Sequence, residues 1–143
     1  MKTKMKYVAE IVAGCIVLAG LFSCTPDRKP DAEFLTGSDL ELKVDGSVKV
    51  KYVPETFQIG YSSDKKQFRV HNDTMSEYFI LTCSELPEKE GQKIKCSLKY
   101  TSGGNTVSRT GEEFRVEKID GSSGTVWLWN SKKKTGVSVM MPE

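Results

Sequence analysis

The side chains best able to do chemistry in this 143-residue chain are those of four cysteines and one histidine. His71 lies near Asp73 and several serines, but no Gly-x-Ser-x-Gly motif accompanies it, so a serine-hydrolase triad is not indicated. One histidine does not complete a usual zinc site, and the acidic residues do not follow the spacing of a calcium loop. The sequence therefore predicts no catalytic residue, no metal and no cofactor, and we expect a protein without enzymatic activity.

The cysteine with the most specific surroundings is Cys24. Three lysines within residues 1–6 precede the uncharged, apolar run 11–22, an arrangement that is typical of a signal peptide. This run is shorter than the roughly 20 apolar residues that a membrane-spanning helix needs. It ends in Leu21-Phe22-Ser23-Cys24, which resembles the lipobox of bacterial lipoproteins, with an aliphatic residue three positions before the cysteine and a small residue directly before it.

The resemblance to bacterial lipoproteins implies cleavage before Cys24 and acyl chains, such as palmitate, on its sulfur and its new amino group. Two or three chains anchor a protein stably, whereas one chain holds it only marginally. The alternative is an uncleaved membrane helix with an incidental cysteine. We expect a lipid-anchored protein of the cell envelope. The outer membrane is favoured because no aspartate follows Cys24, and its periplasmic face because residues 25–29 are mixed in charge.

Removal of the signal peptide, residues 1–23, changes the charge balance of the chain. This segment contains three lysines and one glutamate, so the 21 basic and 19 acidic side chains of the whole chain become 18 and 18 in the remaining 120 residues. A neutral domain gives no reason to expect nucleic acid as a partner. Residues 24–37 include Pro26 and Pro30 among charged residues and predict a lipidated N-terminus with a flexible tether, while 38–143 predict one β-domain.

From about residue 39, apolar and polar residues alternate with a period of two, which predicts β-strands. Strands that recur about every 8–12 residues are typical of all-β domains. We therefore expect a single antiparallel β-sandwich or a small β-barrel of about eight to ten short strands after the N-terminal signal helix. The predicted strands are 40–44, 48–52, 57–61, 68–70, 78–83, 94–100, 106–109, 114–119, 126–129 and 137–141.

The hydrophobic pattern also predicts the register of the first hairpin. Pairing Val44 with Val48 places Leu42 opposite Val50 on the same face, whereas a slip by one residue places Leu42 opposite a lysine. The sequence therefore favours a three-residue connection over residues 45–47.

Cys83 and Cys96 are the two cysteines that remain after signal cleavage and lipidation. Antiparallel pairing of residues 79–83 with 96–100 puts Leu81 opposite Leu98 and Cys83 opposite Cys96 on one face. Directly opposed residues lie close enough for a disulfide after modest closure, and disulfides persist outside the cytoplasm. We predict a structural cross-strand disulfide; the alternative is two reduced cysteines in the core. The spacing does not match a redox-active Cys-x-x-Cys pair.

Trp127 and Trp129 are the candidate ligand-binding residues. At positions i and i+2 of a strand they share one face, about 6.8 Å apart. Two exposed indoles would form a stacking platform for a sugar ring or a partner protein, and in the alternative interpretation they fill the core. Residues 126–129 are apolar on both faces, which predicts a central strand covered on both sides.

These features predict a lipid-anchored envelope protein whose non-catalytic β-domain binds a protein or glycan partner. The alternative is a small periplasmic enzyme inhibitor or an envelope assembly factor. Lipid-anchored lysozyme inhibitors have a similar general build, which is an analogy of architecture and not of motifs. A hydrolase is a third hypothesis, which depends on His71 alone.

Overall fold

The computed structural model describes residues 30, 34–35 and 40–141, so the predicted signal peptide 1–23 and Cys24 lie outside the described residues. Within that part of the chain, no helix is long and apolar enough to cross a membrane. The strands are β1 (Glu41–Val44), β2 (Ser47–Lys51), β3 (Phe57–Ser62), β4 (Gln67–Asn72), β5 (Tyr78–Cys83), β6 (Lys93–Ser102), β7 (Asn105–Asp120), β8 (Thr125–Asn130) and β9 (Thr135–Met140).

These nine strands form one continuous sheet with the order β2-β1-β9-β8-β7-β6-β5-β4-β3. Every neighbouring pair is antiparallel. The predicted all-β, antiparallel fold of eight to ten strands is confirmed. The strands follow one another as a meander from β3 to β9, and β1 and β2 then add to β9, which leaves β2 and β3 at the two edges.

The sheet curls into a half-barrel with its core on the inner face. Strands that are distant in the sheet meet across this face, since β2 contacts β6 and β4 contacts β9. At one such contact the hydroxyl of Ser102 donates a hydrogen bond to the carbonyl of Lys49 at 2.7 Å. Apolar residues at alternate positions line the inner face, and the fully buried ones include Leu42, Val50, Phe68, Phe79, Leu81, Ile94, Leu98, Phe114, Val116, Leu128 and Val137.

The connection of the first hairpin is shorter than predicted. Val44 pairs with Ser47 across a two-residue turn, Asp45-Gly46, in which φ is 52° and 81°. Positive φ at both central residues is the type I′ pattern that matches the twist of paired strands. The register shifts between Leu42 and Lys43, so Leu42 lies opposite Val50 as predicted, while Val48 turns outward and is exposed. The bulge thus allows a two-residue turn and at the same time keeps Leu42 opposite Val50 on the buried face.

Strand β7 replaces the two strands predicted over 106–109 and 114–119. It is one strand of 16 residues whose pairing with β6 shifts between Cys96 and Leu98. Gly111, on β7 within this shift, has φ 64°, a left-handed conformation that glycine adopts without a steric cost. In a regular strand, residues three positions apart point to opposite faces. The extra residue of the bulge places both Arg109 and Glu112 on the inner face.

The turn after β7 is stabilised by the carboxylate of Asp120. Ser122 donates to its Oδ1 from the hydroxyl at 2.7 Å and from the backbone N–H at 3.0 Å. These donors favour the charged form and lower the pKa of Asp120, with the hydroxyl of Ser122 as the largest cause.

Candidate functional site

The two cysteines occupy the predicted register. Cys83 on β5 lies directly opposite Cys96 on β6, and Leu81 lies opposite Leu98. Both side chains are buried free thiols in the structure, with the Cys96 thiol donating to the sulfur of Cys83 at 3.5 Å. This hydrogen bond, together with burial, raises the pKa of Cys96. The register is confirmed, and the disulfide stays a prediction that these positions permit.

The tryptophans lie on the outer face of the sheet, opposite the main core. Val126 and Leu128 of β8 fill the inner face, and Trp127 and Trp129 point the other way. Trp127 is only 4% exposed and Trp129 is half-buried, so of the two alternatives the structure favours buried indoles over an open stacking platform. The prediction of a central strand covered on both sides is confirmed.

Phe34, from the N-terminal side of the chain, packs against the indole of Trp129. It is 2% exposed, and its ring centroid lies 6.2 Å from that of Trp129 at an interplanar angle of 46°. The ring rests on Gly136 of β9, where a methyl group would lie 2.7 Å from the Phe34 ring. Gly136 is therefore required here because the absence of a side chain lets Phe34 reach the sheet.

Lys118 of β7 fixes the same segment by its charge. Its ammonium group donates to the carbonyl oxygen of Leu35 at 3.0 Å and lies 4.7 Å from the ring centroid of Trp127. The second contact is a cation–π interaction with the indole. Phe34 and Leu35, near the end of the predicted tether 24–37, are thus held against the sheet by an aromatic contact and a lysine.

Replacing Phe34 by alanine should detach this segment. We expect a loss of about 2 kcal/mol in the free energy of unfolding, the value for burial of one large apolar side chain. The tryptophan emission should shift to the red and become easier to quench with acrylamide, because Trp129 loses its cover.

Gly136→Ala tests the same contact from the sheet, since its methyl group would displace the Phe34 ring. Gly121→Ala is the matched control because a methyl group there meets no atom within 4 Å. Equal emission spectra for Gly136→Ala and Gly121→Ala would contradict the contact between Phe34 and Gly136.

A polar cluster on the inner face was not predicted. The guanidinium of Arg109 donates to both carboxylate oxygens of Glu112 at 2.6–3.0 Å and to the hydroxyl of Thr135 at 3.1 Å. The side-chain amide of Asn130 donates to the same carboxylate at 2.9 Å. Thr135 and Asn130 are buried, and the side chains of Arg109 and Glu112 are 16% and 17% exposed.

The position of this cluster indicates a structural role. Strand β8 pairs with β7 only over Arg115–Asp120, so the first part of β7 has no β8 neighbour. Arg109 and Glu112 connect this part of β7 to both ends of the β8–β9 turn. Asn130 also accepts hydrogen bonds from the backbone N–H groups of Lys132 and Lys133, which closes the turn. A glycine inside a strand pattern can indicate a bulge, so Gly111 was the signal in the sequence.

The remaining candidates for chemistry lie apart from one another. The Nδ1 atom of His71 lies 3.1 Å from the carbonyl oxygen of Asn72, at the end of β4. Among residues 30, 34–35 and 40–141, no group of three or more histidine, cysteine, aspartate or glutamate side chains could hold a metal ion. No protein-family model, curated protein or solved structure matches the chain.

Strand β3 is the other feature that could bind a partner. Asp73 donates its N–H to the carbonyl of Thr56 at 3.1 Å, so Thr56 faces β4. Because successive residues of a strand alternate in direction, Ile59 and Tyr61 direct their N–H and C=O groups away from β4. No other strand of the described chain pairs with this edge. These backbone groups are therefore open to a further strand.

Proposed function

We propose that this chain is a lipid-anchored protein of the cell envelope whose non-catalytic β-domain binds a protein partner by strand addition to β3. Cys24 carries the lipid and holds the domain at the outer membrane, on its periplasmic face. The free edge of β3 is the observation that carries the proposed binding. An inhibitor and an assembly factor both act by binding a protein, so each is a specific case of this function.

The two edges of the sheet differ in a way that favours β3. Natural proteins protect edge strands with lysines, bulges and prolines against pairing with other chains. Edge strand β2 has such protection, since it carries Lys49, Lys51 and the bulge opposite β1. Strand β3, with the sequence Phe-Gln-Ile-Gly-Tyr-Ser, has no charged residue, no proline and a regular register with β4.

Exposed apolar side chains surround the free edge. Val53, Ile59 and Met75 are 40%, 38% and 46% exposed. The backbone N–H of Phe57, at the start of β3, donates to the carbonyl of Val53. Asn72 pairs with Phe57, and its carbonyl accepts a hydrogen bond from the N–H of Met75. The side chains of Val53, Ile59 and Met75 therefore all lie near β3. Strand addition uses the backbone for affinity and such side chains for specificity.

Arg69 indicates the charge of the partner strand. Its guanidinium lies against Gly60 at the middle of β3, where a methyl group would lie 2.5 Å from Nη2. Its Nε is buried and has no hydrogen-bond partner among the described residues. The cation beside an uncharged edge favours an extended, apolar partner segment that carries a carboxylate.

Ile59→Pro tests the free edge. It removes an N–H that faces away from β4, and proline is tolerated at such edge positions, so the sheet should keep its fold. A photo-activated crosslinking residue at Gln58 should give a discrete adduct with an envelope protein in cells. We expect Ile59→Pro to remove this adduct and the matched Ile59→Val to retain it. The proposal fails if the adduct persists in Ile59→Pro or forms equally from position 133.

Cys24→Ser tests the anchor separately. We expect complete loss of labelling by a radioactive fatty acid and accumulation of uncleaved precursor, because acylation needs the thiol. Cys15→Ser is the matched control, as Cys15 lies within the predicted signal peptide and should be dispensable. Normal processing of Cys24→Ser would exclude a lipoprotein.

A further inference from the structure

We infer that the outer face of β6 and β7 rests on an anionic lipid surface, oriented by the contact between Phe34 and the sheet. This inference rests on the proposed lipid anchor at Cys24. It adds a second interaction surface, distinct from the edge of β3, and its ligand is the layer of negatively charged headgroups around the anchor.

Charge is the first observation behind this inference. Lys93, Lys95 and Lys99 are exposed and alternate with the buried Ile94, Cys96 and Leu98, so the three lysines form a row on the outer face.

Strand β7 adds to this positive charge. Arg115 lies opposite Lys93 and its side chain is 52% exposed, while the acidic residues of this part of β7 are Glu113, opposite Lys95, and Glu117, which is bonded to Arg115. Four basic residues thus share this surface with two acidic ones, although the chain after residue 23 carries 18 of each.

The place where the N-terminal segment joins the sheet is the second observation. Phe34 lies on the same outer face, over β8 and β9, and the adjacent Leu35 is bonded to Lys118 of β7. The nine residues 25–33 separate Cys24 from Phe34. Even a fully extended connection therefore spans at most about 35 Å. Because the connection joins the domain at the outer face, it favours an orientation with this face towards the bilayer.

Electrostatic attraction to anionic headgroups also favours this orientation. Each lysine or arginine near an anionic surface contributes about a fivefold gain in binding. The four basic and two acidic residues leave a net charge of +2 on this surface, which favours the surface-bound orientation by roughly 25-fold in the absence of high salt. The lysines of the β8–β9 turn, Lys132 and Lys133, are exposed but lie at the end of the half-barrel and not on this face.

The test uses the intact lipoprotein in vesicles of phosphatidylcholine, with or without phosphatidylglycerol, and measures the acylation rate of each lysine by mass spectrometry. Lys93, Lys95 and Lys99 should react about tenfold more slowly in the anionic vesicles, and Lys132 and Lys133 should not change. About 0.5 M sodium chloride should abolish the protection. If the protein floats with neither kind of vesicle, it carries no lipid. That result would refute the anchor and not this surface.

Charge reversal makes the test specific. The acylation rate of Lys99 reports on the surface contact. In the variant Lys93→Glu/Lys95→Glu, Lys99 should be acylated as fast in anionic vesicles as in neutral ones. The control Lys132→Glu/Lys133→Glu changes the net charge by the same amount and should leave Lys99 protected. The inference is overturned if the protein floats with the vesicles but Lys99 is equally reactive in both lipids, or if the control variant loses the same protection.

Discussion

Arg109→Met should lower the free energy of unfolding by about 3 kcal/mol, because it leaves a largely buried carboxylate without its main partner. Among the residues that the structure describes, Glu112 would keep only the amide of Asn130 as a side-chain donor, while remaining mostly shielded from water. The β8–β9 turn would also lose its bond from Arg109 to Thr135. Equilibrium unfolding of the mature domain in urea measures this loss.

Arg115→Met is the matched control for this prediction. Arg115 and Glu117 form an ion pair of similar chemistry, but the arginine is half exposed, so removal should cost no more than about 0.5 kcal/mol. The double variant Arg109→Met/Glu112→Leu should recover most of the loss, because no unpaired charge stays buried. Equal costs for Arg109→Met and Arg115→Met would show that the inner cluster does not stabilise the fold.

The part of this fold that could be predicted is the part set by local alternation. The β5–β6 register, including Cys83 opposite Cys96, follows from apolar residues at every second position, because a slip would turn the whole apolar set towards water. Leu42 lies opposite Val50 for the same reason. The bulge that allows this pair beside the Asp45-Gly46 turn could not be predicted, since bulges insert a residue without changing the apolar set.

The missed features depend on contacts between distant parts of the chain. Phe34 and Gly136 are about a hundred positions apart, and each is unremarkable in its own neighbourhood: an apolar residue in a polar segment and a glycine in a strand. Arg109 and Glu112 would point to opposite faces of a regular strand, and only the bulge at Gly111 brings them together. The cover over the indoles comes from Phe34 on Trp129 and Lys118 on Trp127, so the sequence alone left their exposure open.

Oxidation of Cys83 and Cys96 to a disulfide should raise the free energy of unfolding by about 3 kcal/mol, because the bond restricts the unfolded chain. For a domain of this size the midpoint of thermal unfolding should rise by about 10 °C. Comparing mature protein with and without reductant measures the effect. The variant Cys83→Ala/Cys96→Ala should not respond to reductant. Two titratable thiols in unreduced, unfolded protein from the envelope would show that the bond is absent.

The folded thiols should nevertheless oxidise slowly, so we expect the predicted disulfide to form early in folding. Their sulfurs are 3.5 Å apart, so only side-chain movement is needed. However, both thiols are buried, which keeps oxidised glutathione away from them, and burial and the hydrogen bond to Cys83 raise the pKa of Cys96. In the reaction with oxidised glutathione, the two thiols form a disulfide and give up two protons and two electrons. The glutathione disulfide accepts them and becomes two molecules of reduced glutathione. We expect this reaction to be much slower in buffer than in concentrated urea, and a faster reaction in buffer would contradict early closure.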